Sequence, residues 1–477
     1  MPRGKFLKEG LIYALQPFLE RGVAFLLIPI YTAYLSPSSF GQWQFIFSLA
    51  FFVLPLMNAG IDVACWHFWG NPEKYSLETV FINACLAKMA AGMFVLLGFV
   101  LPTLLVTNWE FRLEFSIYIT SVFLLSYFQI FQQYLRAQHR PSTYLGLALS
   151  YAAILGGLNI LGVTVLQLGF KGILFGNTFA NIFIFTVGIL VAKRTRAMTG
   201  RIDIKLIKKL LAYGFPLIFS NLSYVFISQS DRFFLEKFSS THELGLYSFG
   251  SQFAILITVF IITPLFYWWN PILRWKIYRR ADGREIFSRL NQIFIVALPI
   301  VTLLMIGGVV FVGKYLVRNE AYLDGFLITP LLAFGQAFFG LYCFNTIGLL
   351  FESRTKTIAC IVFSSALANI GLNLLFVPRL AMSGAALASF FSFFLMYILS
   401  LFFSQRAYAI QRKKLLEGGM AVISTSIALG ATYSFSQGWI RPQNIDIIFL
   451  LPGIILAIAM GIINRNELKL LINLVKP

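Results

Sequence analysis

The sequence predicts an all-α, polytopic membrane protein that crosses the bilayer about fourteen times. Of its 477 residues, 58% are hydrophobic and only 12% are charged, and the mean hydropathy is +0.78. Soluble domains carry about 25% charged residues, so this chain has too little polar surface to cover a water-soluble globule. The apolar residues also fall into segments of about 20, which is the length that a spanning helix needs.

The predicted spans follow the chain from end to end. They lie near residues 11–34, 41–64, 79–106, 112–135, 143–167, 172–192, 214–238, 244–269, 287–312, 325–350, 356–377, 381–404, 418–437 and 445–463. The first span carries Glu20 and Arg21 and lacks a small-residue cleavage site, so we expect a retained helix and no cleavable signal peptide. The last two spans are the weakest, and without them the count would be about twelve.

The distribution of Lys and Arg predicts the orientation. With the N-terminus in the cytoplasm, 28 of the 38 basic residues fall at the inner side and 7 at the outer side, while Arg21, Lys88 and Arg232 lie within spans. Cytoplasmic loops of membrane proteins are enriched in Lys and Arg. Both termini are therefore expected in the cytoplasm. Most of the net charge of +19 then reflects topology, and no nucleic-acid partner is expected.

The cysteines and histidines predict neither disulfides nor a metal site. Their positions show no CxxC pairing and no spacing typical of zinc ligands: Cys65, Cys85, Cys343, Cys360, His67, His139 and His242. No cofactor is expected, and coupling to H⁺ or Na⁺ is left open.

Two halves of the chain resemble each other. LRAQHRPSTY at 135–144 matches LLFESRTKTI at 349–358, and SPSSFGQW at 36–43 matches SSTHELGLY at 239–247, which places Gly41 and Gly245 204 positions apart. Because each repeat spans an even number of helices, both have the same orientation in the membrane. The pattern predicts two parallel six-helix lobes plus two C-terminal helices, an arrangement found in alternating-access transporters.

The repeats define the predicted domains. These are an N-terminal six-helix lobe at 1–192, a basic cytoplasmic linker at 193–213, a C-terminal six-helix lobe at 214–404, and helices 13 and 14 with a cytoplasmic C-terminus at 405–477. Within the linker, Ile202, Leu206 and Leu210 alternate with lysines, which predicts a short amphipathic helix on the inner leaflet.

Charged residues at membrane depth are the candidate site residues, since each costs at least about 2.5–3.5 kcal/mol to insert. A cationic cavity that binds substrate is predicted from Arg21, Lys88 and Arg232. Coupling or charge tuning is predicted for Glu20, Asp231, Asp62 and His67. Arg offers bidentate geometry to phosphate, so the excess of cations favours an anionic ligand. The alternative is that these charges form ion pairs that only fix helix packing. Membrane asparagines such as Asn369 and Asn373 are assigned to helix–helix hydrogen bonds.

Three stretches resemble the polysaccharide transporters of the multidrug/oligosaccharidyl-lipid/polysaccharide superfamily. They are FLERGVAFLLIPIYTAYLSPSSFGQWQF, SQSDRFFLEKFSSTHELGLYSFGSQFA and ANIGLNLLFVPRLAMSGAALAS, and the resemblance covers residues 1–410. It implies a Wzx-type flippase that moves an oligosaccharide on a polyprenyl diphosphate across the bacterial cytoplasmic (inner) membrane. After NAGIDVA the family usually has an Arg before an aromatic residue, whereas this chain has His67.

The expected activity is therefore transport by alternating access, without catalysis. The implied partners are the lipid-linked oligosaccharide, the bilayer and other membrane proteins of polysaccharide assembly. One alternative is an ion-coupled multidrug exporter of the same superfamily, which would need an acidic cavity. Another is a membrane glycosyltransferase or polysaccharide polymerase, but the loops are short and offer no extracytoplasmic domain for such chemistry.

Overall fold

The computed structural model describes residues 22–23, 25–70, 73–106, 110–268, 277–352, 354–437 and 445–463. Throughout this part of the chain the regular structure is helical, and no strand occurs in it. Ten of the described helical runs are long and apolar enough to cross a membrane. The predicted fold class, an all-α polytopic membrane protein, is confirmed.

The helices are numbered here in chain order. They are α1 Ile28–Tyr34, α2 Pro37–Asn58, α3 Ile61–Trp69, α4 Leu77–Leu105, α5 Arg112–Ala137, α6 Pro141–Ile160, α7 Phe170–Arg194, α8 Ile204–Gln229, α9 Asp231–Phe238, α10 Thr241–Ala254, α11 Thr263–Trp268, α12 Gly283–Leu316, α13 Thr329–Phe351, α14 Thr355–Ala407, α15 Lys414–Ser436 and α16 Ile445–Ile463. Two π-helical segments, Leu161–Val165 and Thr258–Ile262, follow α6 and α10, and a 3₁₀ segment, Glu320–Ile328, precedes α13.

Local sequence signals explain where several helices begin. The Ser36 hydroxyl accepts a hydrogen bond from the Ser39 amide at the start of α2, where Pro37 occupies the first turn. The Ser76 hydroxyl caps α4 in the same way, through the Thr79 amide. Such caps satisfy backbone amides that have no partner within the helix.

Two predicted boundaries differ from the structure. The span predicted at 41–64 is divided into α2 and α3 by Ala59 and Gly60, whose φ angles of 46° and 66° end the first helix. The amphipathic segment of the linker is the beginning of α8, and its Leu206 and Leu210 are buried inside the protein. The predicted helix is thus present, and Leu206 and Leu210 pack on protein, whereas Ile202, just before it, is 67% exposed. The contact of this segment with the inner leaflet stays a prediction.

The described chain forms two compact units. Unit 1 comprises the described residues within 1–245 and 362–381, and unit 2 comprises those within 246–361 and 382–477. Helix α14 contributes to both and has a non-helical residue, Ala381, where the predicted spans 356–377 and 381–404 meet. Unit 1 also holds 214–245, which the sequence assigns to the C-terminal lobe, and the division into lobes stays a prediction.

Within unit 1, α2 runs antiparallel to α8 and α9. Near one end of α2 the ring of Phe45 lies 5.7 Å from that of Phe233, and further along Phe52 lies 4.9 Å from Phe226. Gly60, just beyond the other end, packs directly on the backbone of Gly214. Small residues let helix backbones approach closely in a membrane.

The segments matched by the internal repeat meet in unit 1. A Cβ at Gly41 would overlap the Thr241 carbonyl oxygen, and a Cβ at Gly245 would overlap the Pro37 carbonyl oxygen. Thr241 and Gly245 lie 204 positions after Pro37 and Gly41, so the contact is reciprocal. Segments related by a two-fold axis make contacts of this kind.

In unit 2 the C-terminal helices are packed into the protein. Gly307 of α12 and Gly453 of α16 both lie against side chains and backbone of the facing helix. Lys314 of α12 forms an ion pair with Asp446 of α16, whose side chain is 2% exposed. Helix α16, one of the two C-terminal helices that the sequence supports least, is therefore joined to α12 by an ion pair and by close packing.

Candidate functional site

Lys88 lies in the middle of α4 and has no exposed surface. Its ammonium donates to the Asp62 carboxylate at 3.1 Å and to the Ser126 carbonyl oxygen at 2.6 Å. These partners come from α3 and α5, so three helices converge on one charge. A buried ammonium needs such partners, because an unpaired charge in an apolar environment is very costly.

Asp62 reaches Lys88 because of the break before α3. The left-handed residues Ala59 and Gly60 end α2 and start α3, and Asp62 lies in the first turn of the new helix. An acidic side chain is favoured there by the positive end of the helix dipole. The Asp62 side chain remains 20% exposed, whereas that of Lys88 is fully enclosed. The carboxylate therefore separates the buried cation from the surface.

His67 lies on α3, slightly more than one turn beyond Asp62. Its imidazole stacks on the ring of Tyr213 from α8, with centroids 4.4 Å apart and planes inclined by 18°. The side chain is exposed. The sequence places Asp62 and His67 near the end of a span, and the structure assigns both to the same short helix.

Asp231 forms a second buried polar group, at the start of α9. It is 1% exposed, and its carboxylate accepts a hydrogen bond of 2.8 Å from the Asn373 amide of α14. The same amide group donates to Asn369 Oδ1 at 3.1 Å. This oxygen also accepts a hydrogen bond of 2.7 Å from the Ser230 hydroxyl. Carboxylate, amide and hydroxyl oxygens are the donors that hard cations and protons use.

Arg232 is 6% exposed and donates to the Ser228 carbonyl oxygen at 3.2 Å. Asp231 and Arg232 are sequence neighbours, and residues at i and i+1 do not face each other on a helix. The Asp231 carboxylate accordingly has its hydrogen-bond partner on α14, at Asn373. Lys88 and Arg232 contact different residues, so these two candidate cations belong to separate polar groups within unit 1.

Two of the candidate residues, Glu20 and Arg21, lie outside the described part of the chain. Across the part that is described, no three His, Cys, Asp or Glu side chains lie close enough to hold a metal ion. Three of the described candidate residues thus belong to two polar groups of unit 1: Lys88 with Asp62 and the Ser126 carbonyl, and Asp231 with Ser230, Asn369 and Asn373.

Comparison with known proteins identifies the family. A family model described as "Polysaccharide biosynthesis protein" matches residues 6–273, which is more than half of the chain. The chain belongs to the polysaccharide biosynthesis protein family. The match includes α3, α4 and α9, and with them Lys88, Asp62 and Asp231.

Two proteins of Haemophilus influenzae are similar in sequence to this polysaccharide biosynthesis protein. One, described as "Uncharacterized membrane protein", is 24% identical over 383 residues, which cover 75% of this chain and 87% of the relative. The other, "Lsg locus putative protein 1", is 26% identical over 286 residues, which cover 55% of this chain and 66% of the relative.

Solved structures show the same fold at low sequence identity. The lipid II flippase MurJ in an inward closed conformation superposes with a TM-score of 0.70 at 14% identity, covering 96% of this chain and 100% of MurJ. An inward-facing multidrug resistance MATE transporter of the MOP superfamily superposes with a TM-score of 0.59 at 12% identity, covering 82% of this chain and 94% of the transporter. The polysaccharide biosynthesis protein thus shares its fold with a flippase and an exporter.

The sequence identified the charged residues of both polar groups but missed Ser126 and Ser230. Ser126 takes part through its backbone, which no side-chain pattern can indicate. Asn369 and Asn373 are predicted to form helix–helix hydrogen bonds, and Asn373 forms one to Asp231 while Asn369 accepts one from Ser230. Their spacing of four residues, which places both amides on one face of α14, is the signal that could have linked them to a buried carboxylate.

Proposed function

We propose that the protein is a flippase that moves a polyprenyl-diphosphate-linked oligosaccharide from the inner to the outer leaflet of the bacterial cytoplasmic membrane by alternating access. Both termini face the cytoplasm in this proposal. The protein performs no chemistry on the substrate, and other membrane proteins of polysaccharide assembly supply and use it. Membership of the polysaccharide biosynthesis family and the fold shared with MurJ support the proposal.

The Lys88–Asp62 pair is the observation that carries it. A fully enclosed cation lies behind a carboxylate that is still 20% exposed. A diphosphate carries more negative charge than one carboxylate and accepts several charge-assisted hydrogen bonds. In the proposed mechanism the diphosphate replaces Asp62 as the partner of Lys88, and Arg21 and Arg232 add positive charge. Asp62 pairs with Lys88 again when the substrate leaves.

The Asp231 group is proposed to couple transport to an ion. Its carboxylate, two amides and hydroxyl are nearly all buried, with exposures of 1% for Asp231, 0% for Asn369 and Asn373, and 2% for Ser230. Binding of H⁺ or Na⁺ would neutralise the carboxylate at little cost in rearrangement. Because the group joins α9 to α14, its occupancy would change how these helices hold together.

Reconstituted flipping tests the proposal. Proteoliposomes would contain a polyprenyl diphosphate bearing a fluorescent oligosaccharide, and a membrane-impermeant reductant would report the fraction in the outer leaflet. We expect wild-type protein to flip the probe, and Lys88→Met combined with Asp62→Asn to slow flipping about tenfold, equivalent to about 1.4 kcal/mol. Arg21→Ala is expected to reduce flipping in the same direction.

The matched control is the ion pair between Lys171 and Glu114, whose Lys171 side chain is 50% exposed. Lys171→Met with Glu114→Gln removes a similar pair of charges at the surface and should leave flipping unchanged. If the wild type flips the probe and the folded Lys88→Met/Asp62→Asn variant flips it at the same rate, Lys88 does not bind the diphosphate. Absence of flipping by the wild type would overturn the proposed function.

A multidrug exporter is the second candidate, and the buried Asp231 together with the MATE-like fold favours it. It predicts efflux of a cationic dye from proteoliposomes when a Na⁺ or H⁺ gradient is imposed, and loss of this efflux in Asp231→Asn. We expect no dye efflux, because the cation Lys88 occupies the depth at which a cationic drug would have to bind.

A further inference from the structure

We propose that an exposed aromatic cluster at the inner end of α3 is a binding subsite for the saccharide-diphosphate head of the substrate. The aromatic cluster consists of Trp66, His67, Tyr75 and Tyr213. The inference rests on the proposed function, and it names the part of the protein that the head contacts before it reaches Lys88.

The rings come from three segments of unit 1, and Trp66, His67 and Tyr213 are exposed whereas Tyr75 is half-buried. Trp66 and His67 follow one another on α3, and the indole of Trp66 is 41% exposed. His67 stacks on Tyr213 from α8, which is also 41% exposed. Tyr75, in the turn before α4, lies edge-on to Phe68, with ring centroids 5.5 Å apart. The helix break at Gly60 and its contact with Gly214 bring α3 against α8 and so create the cluster.

Three cations surround these rings. The guanidinium of Arg136, from the last turn of α5, lies 5.4 Å from the Trp66 ring. The ammonium of Lys74 lies 5.8 Å from the Tyr75 ring, and Lys209 donates to the Tyr75 hydroxyl at 3.3 Å. Lys and Arg within about 6 Å of an aromatic face are attracted to it. The cluster therefore combines exposed aromatic side chains with positive charge over or beside their rings.

This combination matches the head of a sugar-linked diphosphate. The face of an aromatic ring is electronegative, and the C–H groups on one face of a pyranose are weakly electropositive, so the two pack together. The neighbouring ammonium and guanidinium groups suit the phosphates. An aromatic belt at the membrane interface consists of Trp and Tyr rings that lie at the headgroup level. A belt has no need for an exposed imidazole stacked face to face on a tyrosine.

The position on α3 connects the cluster to the charged pair. Asp62 and Trp66 are four residues apart, so they lie on the same face of α3, about 6 Å apart along the axis. A head group held at Trp66 would thus have its diphosphate one helical turn from the carboxylate that covers Lys88. The cluster would hold the sugar while the diphosphate replaces Asp62.

Binding and flipping of two probes test the inference. The first is a polyprenyl diphosphate bearing a short fluorescent oligosaccharide, and the second is a fluorescently tail-labelled polyprenyl diphosphate without sugar. Fluorescence anisotropy with the detergent-solubilised protein would give affinity, and the reductant assay would give flipping. In Tyr213→Ala and Trp66→Ala we expect roughly tenfold weaker binding of the sugar-bearing probe, the effect of about 1.4 kcal/mol, and little change for the probe without sugar.

Two further variants separate the contributions of ring stacking and of charge to binding from any effect of substitution on folding. Tyr213→Phe keeps the ring and should bind the sugar-bearing probe as the wild type does. Lys209→Met should weaken binding of both probes, because it removes charge that serves the diphosphate. Phe402 is the control, since it is 47% exposed and carries Arg406 at 4.0 Å from its ring but belongs to unit 2. Phe402→Ala should leave both readouts unchanged.

The outcomes distinguish the two claims. If the wild type flips the sugar-bearing probe and Tyr213→Ala and Trp66→Ala bind it normally, the cluster is an interfacial belt only and the inference is overturned while the flippase stands. If the two variants weaken binding of both probes equally, the rings do not recognise sugar, and the inference fails again. If the wild type neither binds nor flips the sugar-bearing probe, the proposed function falls and the inference with it.

Discussion

At the scale of single residues, the chain buries a lysine within a helix that is long and apolar enough to cross a membrane. Lys88 is enclosed by three helices, and its ammonium has a carboxylate and a backbone carbonyl as partners. In such an environment a charge pair contributes little net stability, but removing one member exposes the full cost of burying the other. The stability of this region should therefore depend on whether both charges are present or both are absent.

A double-mutant cycle on Lys88 and Asp62 tests this expectation. Asp62→Asn alone leaves the buried ammonium without its counter-charge and should cost about 3–5 kcal/mol. Lys88→Met alone should cost less, because the Asp62 side chain keeps 20% of its surface exposed. The double variant should be more stable than Asp62→Asn. Thermal unfolding of the detergent-solubilised proteins would measure these differences, and additive effects of the two changes would contradict a coupled pair.

The sequence could predict Lys88 because a charge inside a long apolar segment is conspicuous by itself. Its partners depend on tertiary structure. Asp62 reaches the ammonium only because Ala59 and Gly60 redirect the chain, and Gly60 adopts that position against Gly214, more than 150 residues away. Asn373 likewise gains a role only through its contact with Asp231, and Asn369 through its contact with Ser230. The sequence could therefore predict which residues are buried charges, whereas it could not predict which residues they pair with.

At the scale of helices, glycines determine how closely neighbouring elements approach. Gly41 and Gly245 place the first turns of α2 and α10 in backbone contact, each against the residue that begins the other helix. An alternating-access protein must make and break contacts between its repeats. Contacts made by backbone atoms and small residues can separate without leaving large side chains exposed.

Adding a methyl group at these glycines should destabilise the structure. Gly41→Ala and Gly245→Ala each put a Cβ into a facing carbonyl oxygen, and overpacking typically costs about 1–3 kcal/mol. Gly157→Ala in α6 is the control, because nothing lies within 4 Å of the added Cβ. In an unhindered helix that change is stabilising by about 0.4–1 kcal/mol. The expected melting temperatures therefore move in opposite directions. An unchanged or raised melting temperature in Gly41→Ala and Gly245→Ala would show that the reciprocal contact is not tight.

At the scale of the whole molecule, hydropathy was sufficient to locate the helices. Thirteen of the predicted spans coincide with described helices, and of the first span residues 28–34 are described as α1. This success has a physical cause, since bilayer thickness fixes the length of every span and the requirement is local. The grouping of the helices into units, in contrast, depends on contacts between residues that are far apart in the sequence. The charge pair between Lys314 and Asp446 fixes the last helix in unit 2, and neither residue indicates the other in the sequence.

The orientation of the whole chain in the membrane is predicted from the distribution of its basic residues. It rests on 28 basic residues at the predicted inner side against 7 at the outer side. In a variant without Cys65, Cys85, Cys343 and Cys360, we expect Arg318→Cys to react with a membrane-impermeant maleimide in intact cells. Arg279→Cys should react only after permeabilisation. Both residues are exposed and lie on either side of α12, so one crossing separates them. The reverse pattern would invert the orientation and would place the aromatic cluster on the side opposite to the one where a flippase receives its substrate.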